Sequence, residues 1–512
     1  MECSYDYGSN LRRLVRHFEH DINATVMITK AYIYAMVAHD EATRKTGEPY
    51  VTHPIAIALE LEKIGADYET ICAALLHDTI EDVDWVDGNK LRKEFNPTIA
   101  HIVEGVTKVA NLKLDDKKQQ TMLTQNKLVL SLDDDVRIII IKLYDRLHNM
   151  QTISGHPDPK KRIEIAKETM EVYVPIARHL GMFGIKERLE QLCFPILHPK
   201  IDEKINSIKK TEIEGNDDLR QLIADLQYDG SSRSLAKLLR ENGVQVVDIE
   251  FKFKGNYGIY NQLKKKRNIN QINDLLTLNI KTKTVEDAYN AMRIINEYSA
   301  DVINKPEYAN KDYIAHPKYA FYRALHTYNI IESNGNRYQF HFQIQTADMW
   351  RESVNGIASK WNLNTDEDEY PVKRIVDDSG AKRMQESLNK DFPFFDDLKR
   401  LCDDYRKGIC TELEFRDKVE HLILPKQINI NMSNFTQEKT YKGCTIKDFI
   451  IKLSRAGKID RISPNQEYYV NGSKKDLFYV LKDDDTFEIR IRKQNEPEKV
   501  SVKPRQRKRS KE

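Results

Sequence analysis

ETICAALLHDTIEDVD, residues 69–84, is the stretch on which the fold turns. Its first half, ETICAALL, carries apolar residues at helical spacing, and His77-Asp78 end that helix and begin a polar turn. Outward on one side lies His53, in EPYVTHPIAIALELEKIG, where Pro54 can open a helix. On the other lies Asp145, in IIIIKLYDRLHNMQT, behind a fully apolar run. A carboxylate that close to a buried helix needs a partner, and a metal would supply one. Taken singly, each residue reads as a cap or a satisfied core group. Taken together, two imidazoles and two carboxylates suit one divalent ion, Mn²⁺, Fe²⁺ or Zn²⁺, with positions left for water and substrate. Glu81-Asp82 follow the pair and can orient or deprotonate that water, so the set points to metal-assisted hydrolysis of a phosphate ester.

The surrounding chain is helical up to about residue 200, with helical spacing repeated in VRIIIIKLYDRLHNM and TMEVYVPIARHLG. Residues 201–244 read as a helical bridge. From about 245 to 365 the pattern becomes mixed: VQVVDIEFKF, LLTLNIKT, ALHTYNII and RYQFHFQIQT read as strands, with TVEDAYNAMRIINEYSADV as a helix between them. A charged helical connector follows over 366–425. Short strands return over 426–493 around CTIKDFIIKLSRAG. The basic tail, 494–512, is poor in apolar residues and reads as disordered. The fold class expected is multidomain α+β.

Composition narrows the setting. With 81 basic and 79 acidic residues the formal charge is only +2, so nothing electrostatic demands a nucleic-acid partner. Six scattered cysteines form no C-x-x-C pair and read as reduced thiols of a cytoplasmic protein. No apolar run is long enough for a membrane span, and the amino terminus lacks the apolar core of a signal peptide.

The stretches RKTGEPYVTHPIAIA, AALLHDTIEDVD, EGVTKV, IKLYDRLHNMQT and YVPIARHLGMFGIKERLEQLCF resemble the HD phosphohydrolase domain of the RelA/SpoT homologue family, whose members make and degrade the alarmone (p)ppGpp. The resemblance implies that His53, His77, Asp78 and Asp145 hold Mn²⁺ and that Glu81 and Asp82 position the hydrolytic water. It also implies that Arg44, Lys45, Thr46, Asn149 and Thr152 contact the nucleotide. By itself, the Arg44-Lys45 pair would read as a solvated helix end. Gln151 stands where the family often has arginine. The implied reaction is 3′-pyrophosphate removal by metal-activated water, giving GDP or GTP and pyrophosphate.

DYIAHPKYAFYRALHT, FHFQIQTADMW and QINDLLTLNIKT resemble the family's synthetase domain, which transfers pyrophosphate from ATP to GDP or GTP. Its chemistry needs carboxylates that hold Mg²⁺ against a polyphosphate. Asp274 matches the first such position, but His341 stands at the second, and histidine is a poor Mg²⁺ ligand. Asn279 replaces an arginine, Phe321 a glycine before the retained Tyr322, Lys252 an arginine, and Gly258 a serine, while Lys254 is kept. Val354 and Lys360 stand at later acidic and histidine positions. The expectation is an inactive synthetase. Tyr322 reads equally as ordinary packing or as a residual nucleotide contact.

TYKGCTIKDFIIKLSRAG, YYVNGSKKDLFYVL and KDDDTFEIRI resemble a TGS domain, a small β-grasp module that implies contact with tRNA or a regulatory protein. The reading that results is a cytoplasmic, Mn²⁺-dependent (p)ppGpp hydrolase with a degenerate synthetase domain. Three rivals stand beside it: a bifunctional enzyme with weak synthetase, a non-catalytic alarmone-binding regulator, and an HD hydrolase of other nucleotides.

Overall fold

The computed structural model describes residues 5–110, 134–264, 272, 274–303, 310–317, 321–362, 427–433, 437–441, 466–477, 479 and 481–491, with isolated residues between 384 and 453. Apart from such isolated residues, the expected connector 366–425 lies outside them, as does the expected tail 494–512. The chain divides into two compact units, Met1–Ile423 and Leu424–Glu512.

The first unit begins with helices α1 (Tyr7–Val15), α2 (Ile22–Ala38), α3 (Thr52–Lys63), α4 (Tyr68–Leu76), α5 (Thr79–Asp82), α6 (Gly88–Glu94) and α7 (Pro97–Ala110). It continues with α8 (Val136–Gln151), α9 (Pro159–Glu168), α10 (Val174–His179) and α11 (Phe183–Leu197). α4 starts because the Asp67 carboxylate accepts the Thr70 amide at 2.8 Å, the N-cap bond that an aspartate supplies. Every residue from Thr70 to Leu76 is buried, so this helix is apolar all round and sits inside the bundle. The helical backbone breaks at His77 and Asp78, and α5 begins at Thr79. α8 is capped by Asp135 and buries Ile138 to Ile141 completely. A wide π turn over Thr169–Tyr173 precedes α10, whose second residue is Pro175. That turn accommodates the proline's missing amide hydrogen.

The central sheet contains β1 (Val246–Phe253), β2 (Leu276–Thr282), β3 (Asp301–Val302), β4 (Lys311–Asp312), β5 (Leu325–Ser333) and β6 (Asn336–Thr346). Its order is β1-β2-β6-β5-β3, with β4 on β5. β2 and β6 run parallel and the other pairs antiparallel. The four long strands fall where alternation and β-branched content place them. The β2 to β6 crossover carries α16 (Val285–Tyr298), which buries Ala288, Ala291, Ile294 and Ile295 on the sheet. Helices α12 (Pro199–Lys209), α13 (Asp217–Gln227) and α14 (Leu235–Glu241) fill the expected bridge. Leu219, Leu222, Leu226, Leu235 and Leu239 from the last two pack into the sheet's own core. α15 (Asn256–Leu263) follows β1, and α17 (Ala347–Asn355) follows β6.

A short 3-10 segment, Gly356–Asn362, then returns to the helical bundle. Ile357 donates its amide to Leu180 O at 2.9 Å, and Ile357, Ala358 and Trp361 join the bundle's hydrophobic core. Gly356 has φ +56°, and a Cβ there would meet Leu180 O at 2.2 Å. Only glycine permits both the left-handed backbone and this approach. Trp361 Nε1 donates to Asp67 Oδ2 at 3.0 Å, so this segment touches the cap of α4.

The second unit holds a five-stranded sheet of β7 (Gln427–Met432), β8 (Gln437–Tyr441), β9 (Gln466–Val470), β10 (Ser473–Lys475) and β11 (Thr486–Ile491). Its order is β10-β9-β11-β7-β8, with β7 and β11 parallel neighbours. Ile446, Phe449, Ile450 and Leu453 bury against Ile430, Val470 and Phe487. Asn471 and Gly472 both have positive φ, the two-residue turn that an Asn-Gly pair favours between antiparallel strands.

Candidate functional site

The break after α4 turns His77 and Asp78 toward α3 and α8. His53, in the first turn of α3, and Asp145, in the middle of α8, meet them there. His53, His77 and Asp78 offer ligand atoms within 4.8 Å of one another. Asp145 closes the set, with Oδ1 3.2 Å from His53 Nε2. The ring of His77 is oriented by a hydrogen bond from Nδ1 to Ala74 O at 2.9 Å. Its Nε2 is buried without a hydrogen-bond partner and faces Asp78 Oδ1 at 3.0 Å. A buried imidazole nitrogen facing a carboxylate fits a divalent ion, and imidazoles held through their other nitrogen are the usual metal-ligating form.

Burial works against ionising Asp78 and Asp145, but the neighbouring basic groups outweigh it. His77 and His53 hold Asp78 below the usual carboxylate range, and Lys142 and His53 do the same for Asp145. Lys142 donates to Asp145 Oδ2 at 3.0 Å and Asn149 to Oδ1 at 2.6 Å. Burial disfavours charge on Lys142 too, yet Asp145 and Asp78 hold its ammonium above the ordinary value. Tyr50 donates its hydroxyl to Asp78 Oδ2 at 2.8 Å.

A cavity of about 490 Å³ opens over this cluster. Arg44, Lys45, Thr46, Asn149, Thr152 and Glu81 all line it, beside His53, Asp78 and Asp145. Arg44 is not a solvated helix end. It sits in the loop after α2, where its guanidinium donates to Asn149 Oδ1 at 3.3 Å and Thr152 Oγ1 at 3.0 Å. Lys45 is exposed and makes no ion pair among the described residues. Burial raises the Glu81 carboxyl above its ordinary value, with Lys142 opposing and Asp78 adding to the rise. Asp82 does not line the cavity and lies beside the Tyr50 hydroxyl.

Four residues of this site escaped the sequence reading: Tyr50, Lys142, Arg146 and His148. The helix spacing of IIIIKLYDRLHNM held the signal for two of them. Lys142 stands three residues before Asp145, and His148 and Asn149 stand three and four after it, all on one face. A lysine closing an apolar run also demands an anionic partner. Arg146 lines the cavity too, stacked 4.2 Å from the Tyr173 ring centroid and paired with Glu168 at 3.1 Å. Burial, His53 and Arg44 together push the His148 pKa down to about 3.

In the central sheet the residues expected at a synthetase site are bound to protein partners. Lys254 Nζ meets Asp274 Oδ2 at 2.6 Å, and Lys252 pairs with Glu187. His341 stands in register between Thr277 and Tyr328. Its Nδ1 is 3.2 Å from Thr277 Oγ1 and its Nε2 is 3.1 Å from His326 Nδ1. Tyr322 reaches His326 Nε2 through its hydroxyl at 2.7 Å. Phe321 keeps a left-handed backbone, φ +62°, and packs its ring on the helical core. The Asn279 Oδ1 is buried without a hydrogen-bond partner.

Residues 31–183 match the profile described as an HD domain, and residues 252–368 match the region found in RelA / SpoT proteins. The chain is 35% identical over 354 residues to a guanosine-3′,5′-bis(diphosphate) 3′-pyrophosphohydrolase of Aquifex aeolicus, covering 69% of this chain and 47% of that protein. It is 33% identical over 377 residues to the bifunctional (p)ppGpp synthase/hydrolase SpoT of Escherichia coli, covering 73% and 51%. A GTP pyrophosphokinase rsh of Brucella ovis is 33% identical over 346 residues, covering 67% and 44%. The chain thus spans about half the length of the curated relatives it matches. With a helical HD region and a RelA/SpoT region in one chain, aligned to such relatives, this chain belongs to the RelA/SpoT homologue family.

Proposed function

We propose that the chain is a (p)ppGpp 3′-pyrophosphohydrolase whose working centre is the cluster of His53, His77, Asp78 and Asp145, with Mn²⁺ as its ion. One observation carries the reading: His53, Asp78 and Asp145, with His77 buried against Asp78, line a cavity whose walls carry Arg44, Lys45, Lys142 and Arg146. Such a cavity suits a small, strongly anionic ligand, and the guanine alarmone named for its relatives is of that class. When bound, the ion supplies Lewis acidity toward a water and toward charge developing on phosphorus.

The remaining work falls to the chain's own side chains. Glu81, at the cavity wall with a raised pKa, accepts the proton that the attacking water loses. Lys45 holds a phosphate group without first breaking an ion pair. Lys142 and Asn149 fix both oxygens of Asp145, so the ligand stays oriented as substrate enters. Asp82 acts at one remove, beside Tyr50.

The central sheet is proposed to lack synthetase activity. Both His341 nitrogens and the Asp274 carboxylate are engaged by protein partners, which leaves no carboxylate pair for Mg²⁺. For the second unit we propose a TGS-like module that contacts tRNA or a regulatory protein, on the strength of its strand order and the parallel pairing of its first and last strands, β7 and β11. A cytoplasmic setting fits, since no described helix is long and apolar enough to cross a membrane.

The deciding experiment incubates metal-loaded protein with ppGpp, dGTP and GTP and measures pyrophosphate release. The reading requires ppGpp to be the preferred substrate and Asp78→Ala to abolish turnover. Binding of ppGpp without release would favour a regulator, and preference for dGTP would favour a different nucleotide hydrolase. Pyrophosphate transfer from ATP to GDP, lost on Asp274→Ala, would favour the bifunctional alternative.

A further inference from the structure

We propose that His148 is a positioning residue for the metal site, which it serves by fixing the tautomer of His53. The inference rests on the reading of His53 as a ligand. Arg44 Nη1 lies 2.9 Å from His148 Nδ1. A guanidinium can only donate, so that nitrogen of His148 carries no proton. His53 Nδ1 lies 2.8 Å from the same atom, and two unprotonated nitrogens would repel at that distance. The proton between them therefore belongs to His53 Nδ1, with His148 Nδ1 as acceptor shared by His53 and Arg44.

This settles which nitrogen of His53 has a lone pair to offer. With Nδ1 protonated, the lone pair is on Nε2, the atom facing Asp145 Oδ1 at 3.2 Å and Asp78 Oδ2 at 3.7 Å. Neutral histidine in water prefers the opposite arrangement, so the protein must impose this one, and the hydrogen bond at the far nitrogen is how that is done. The acceptor is held in place by the same helix that carries a ligand. His148 follows Asp145 by three residues on α8, and its ring centroid sits 4.8 Å from that of His53. One helix thus supplies both a ligand and the group that orients another ligand on α3.

The test uses the full chain, stripped of metal, and titrates Mn²⁺ alone by calorimetry. His148→Phe keeps the ring's bulk and removes the acceptor; His148→Asn places an amide oxygen near the position of Nδ1. The expectation is Mn²⁺ affinity roughly tenfold or more weaker for His148→Phe, with most of it restored in His148→Asn. Equal affinity for His148→Phe and the unaltered chain would overturn the proposal, as would an Asn variant no better than Phe. Nitrogen-15 spectra of the unaltered, metal-free chain give a second measurement that needs no variant to fold. They must show His53 protonated at Nδ1, whatever the state of Nε2 beside the Asp145 carboxylate, and an unprotonated Nδ1 overturns the assignment. Failure of the unaltered chain to bind any divalent ion would count against the metal centre itself, while the spectra would still judge His148.

Discussion

Lys254 and Asp274 form an ion pair, Nζ to Oδ2 2.6 Å, at the edge of the central sheet where a synthetase would set its first metal carboxylate. The pair satisfies both charges within the protein. Asp274→Ala is expected to leave ppGpp hydrolysis within about twofold of the unaltered rate, because distant sites without shared partners act independently. Neither protein should transfer pyrophosphate from ATP to GDP. Loss of hydrolysis in the variant would show the two regions to be coupled through this pair.

Removing a ligand should be far more costly. Asp78→Ala is expected to lower ppGpp hydrolysis by roughly a thousandfold or more, since groups acting as one unit fail together. Chelation should do the same to the unaltered protein, with activity returning on addition of Mn²⁺. Activity that survives exhaustive chelation would refute a metal-dependent mechanism.

Lys45 offers a cleaner probe of the cavity than Arg44, whose guanidinium also braces Asn149 and Thr152. Lys45→Ala should raise KM for ppGpp about tenfold, equivalent to about 1.4 kcal/mol. Its melting temperature should not move, because no ion pair is lost. A fall in kcat at unchanged KM would instead give Lys45 a role in the transition state.

His341 predicts an acid limit to stability. Burial depresses its pKa to about 4, against an ordinary value of about 6.5 in the unfolded chain. Between these two values the unfolded chain binds more protons than the folded one. Stability is therefore full at pH 7 and erodes as pH falls from about 6.5 to 4, by up to on the order of 3 kcal/mol. Melting curves of the unaltered chain and His341→Gln across that window should converge toward low pH. Parallel curves would remove His341 from the explanation.

The returning segment makes two stability predictions. Gly356→Ala forces a Cβ against Leu180 O and strains a left-handed backbone, and should cost about 2 kcal/mol or more. Trp361→Phe keeps the bulk but withdraws a donor from buried Asp67, and should cost about 1 to 3 kcal/mol. Chemical denaturation of full-length protein measures both. Values near zero would mean that the bundle closes without this segment.

The sequence made His53, His77, Asp78 and Asp145 legible because each stands at a helix end or on a buried helix where its polarity needs a reason. The long strands were legible by their alternation. Arg44 was not, because its role depends on a loop meeting α8, a contact between residues 44 and 149–152 that no local spacing encodes. Lys142 and His148 were encoded locally, by helical spacing from Asp145, and only the physical meaning of that spacing was missed. The packing of α13 and α14 under the sheet was hidden for another reason: amphipathic helices show that they have a partner, and leave open which one.

The peptide trailing the central sheet is one wall of the bundle that holds the proposed metal centre. Cutting the chain after residue 200 would retain every proposed ligand, yet strip Ile357, Ala358 and Trp361 from the core around them. The loss of synthetase chemistry proposed for the central domain would therefore give no licence for its deletion. Whatever chemistry the domain carries, it stays answerable for its shape, and its neighbour enforces that debt.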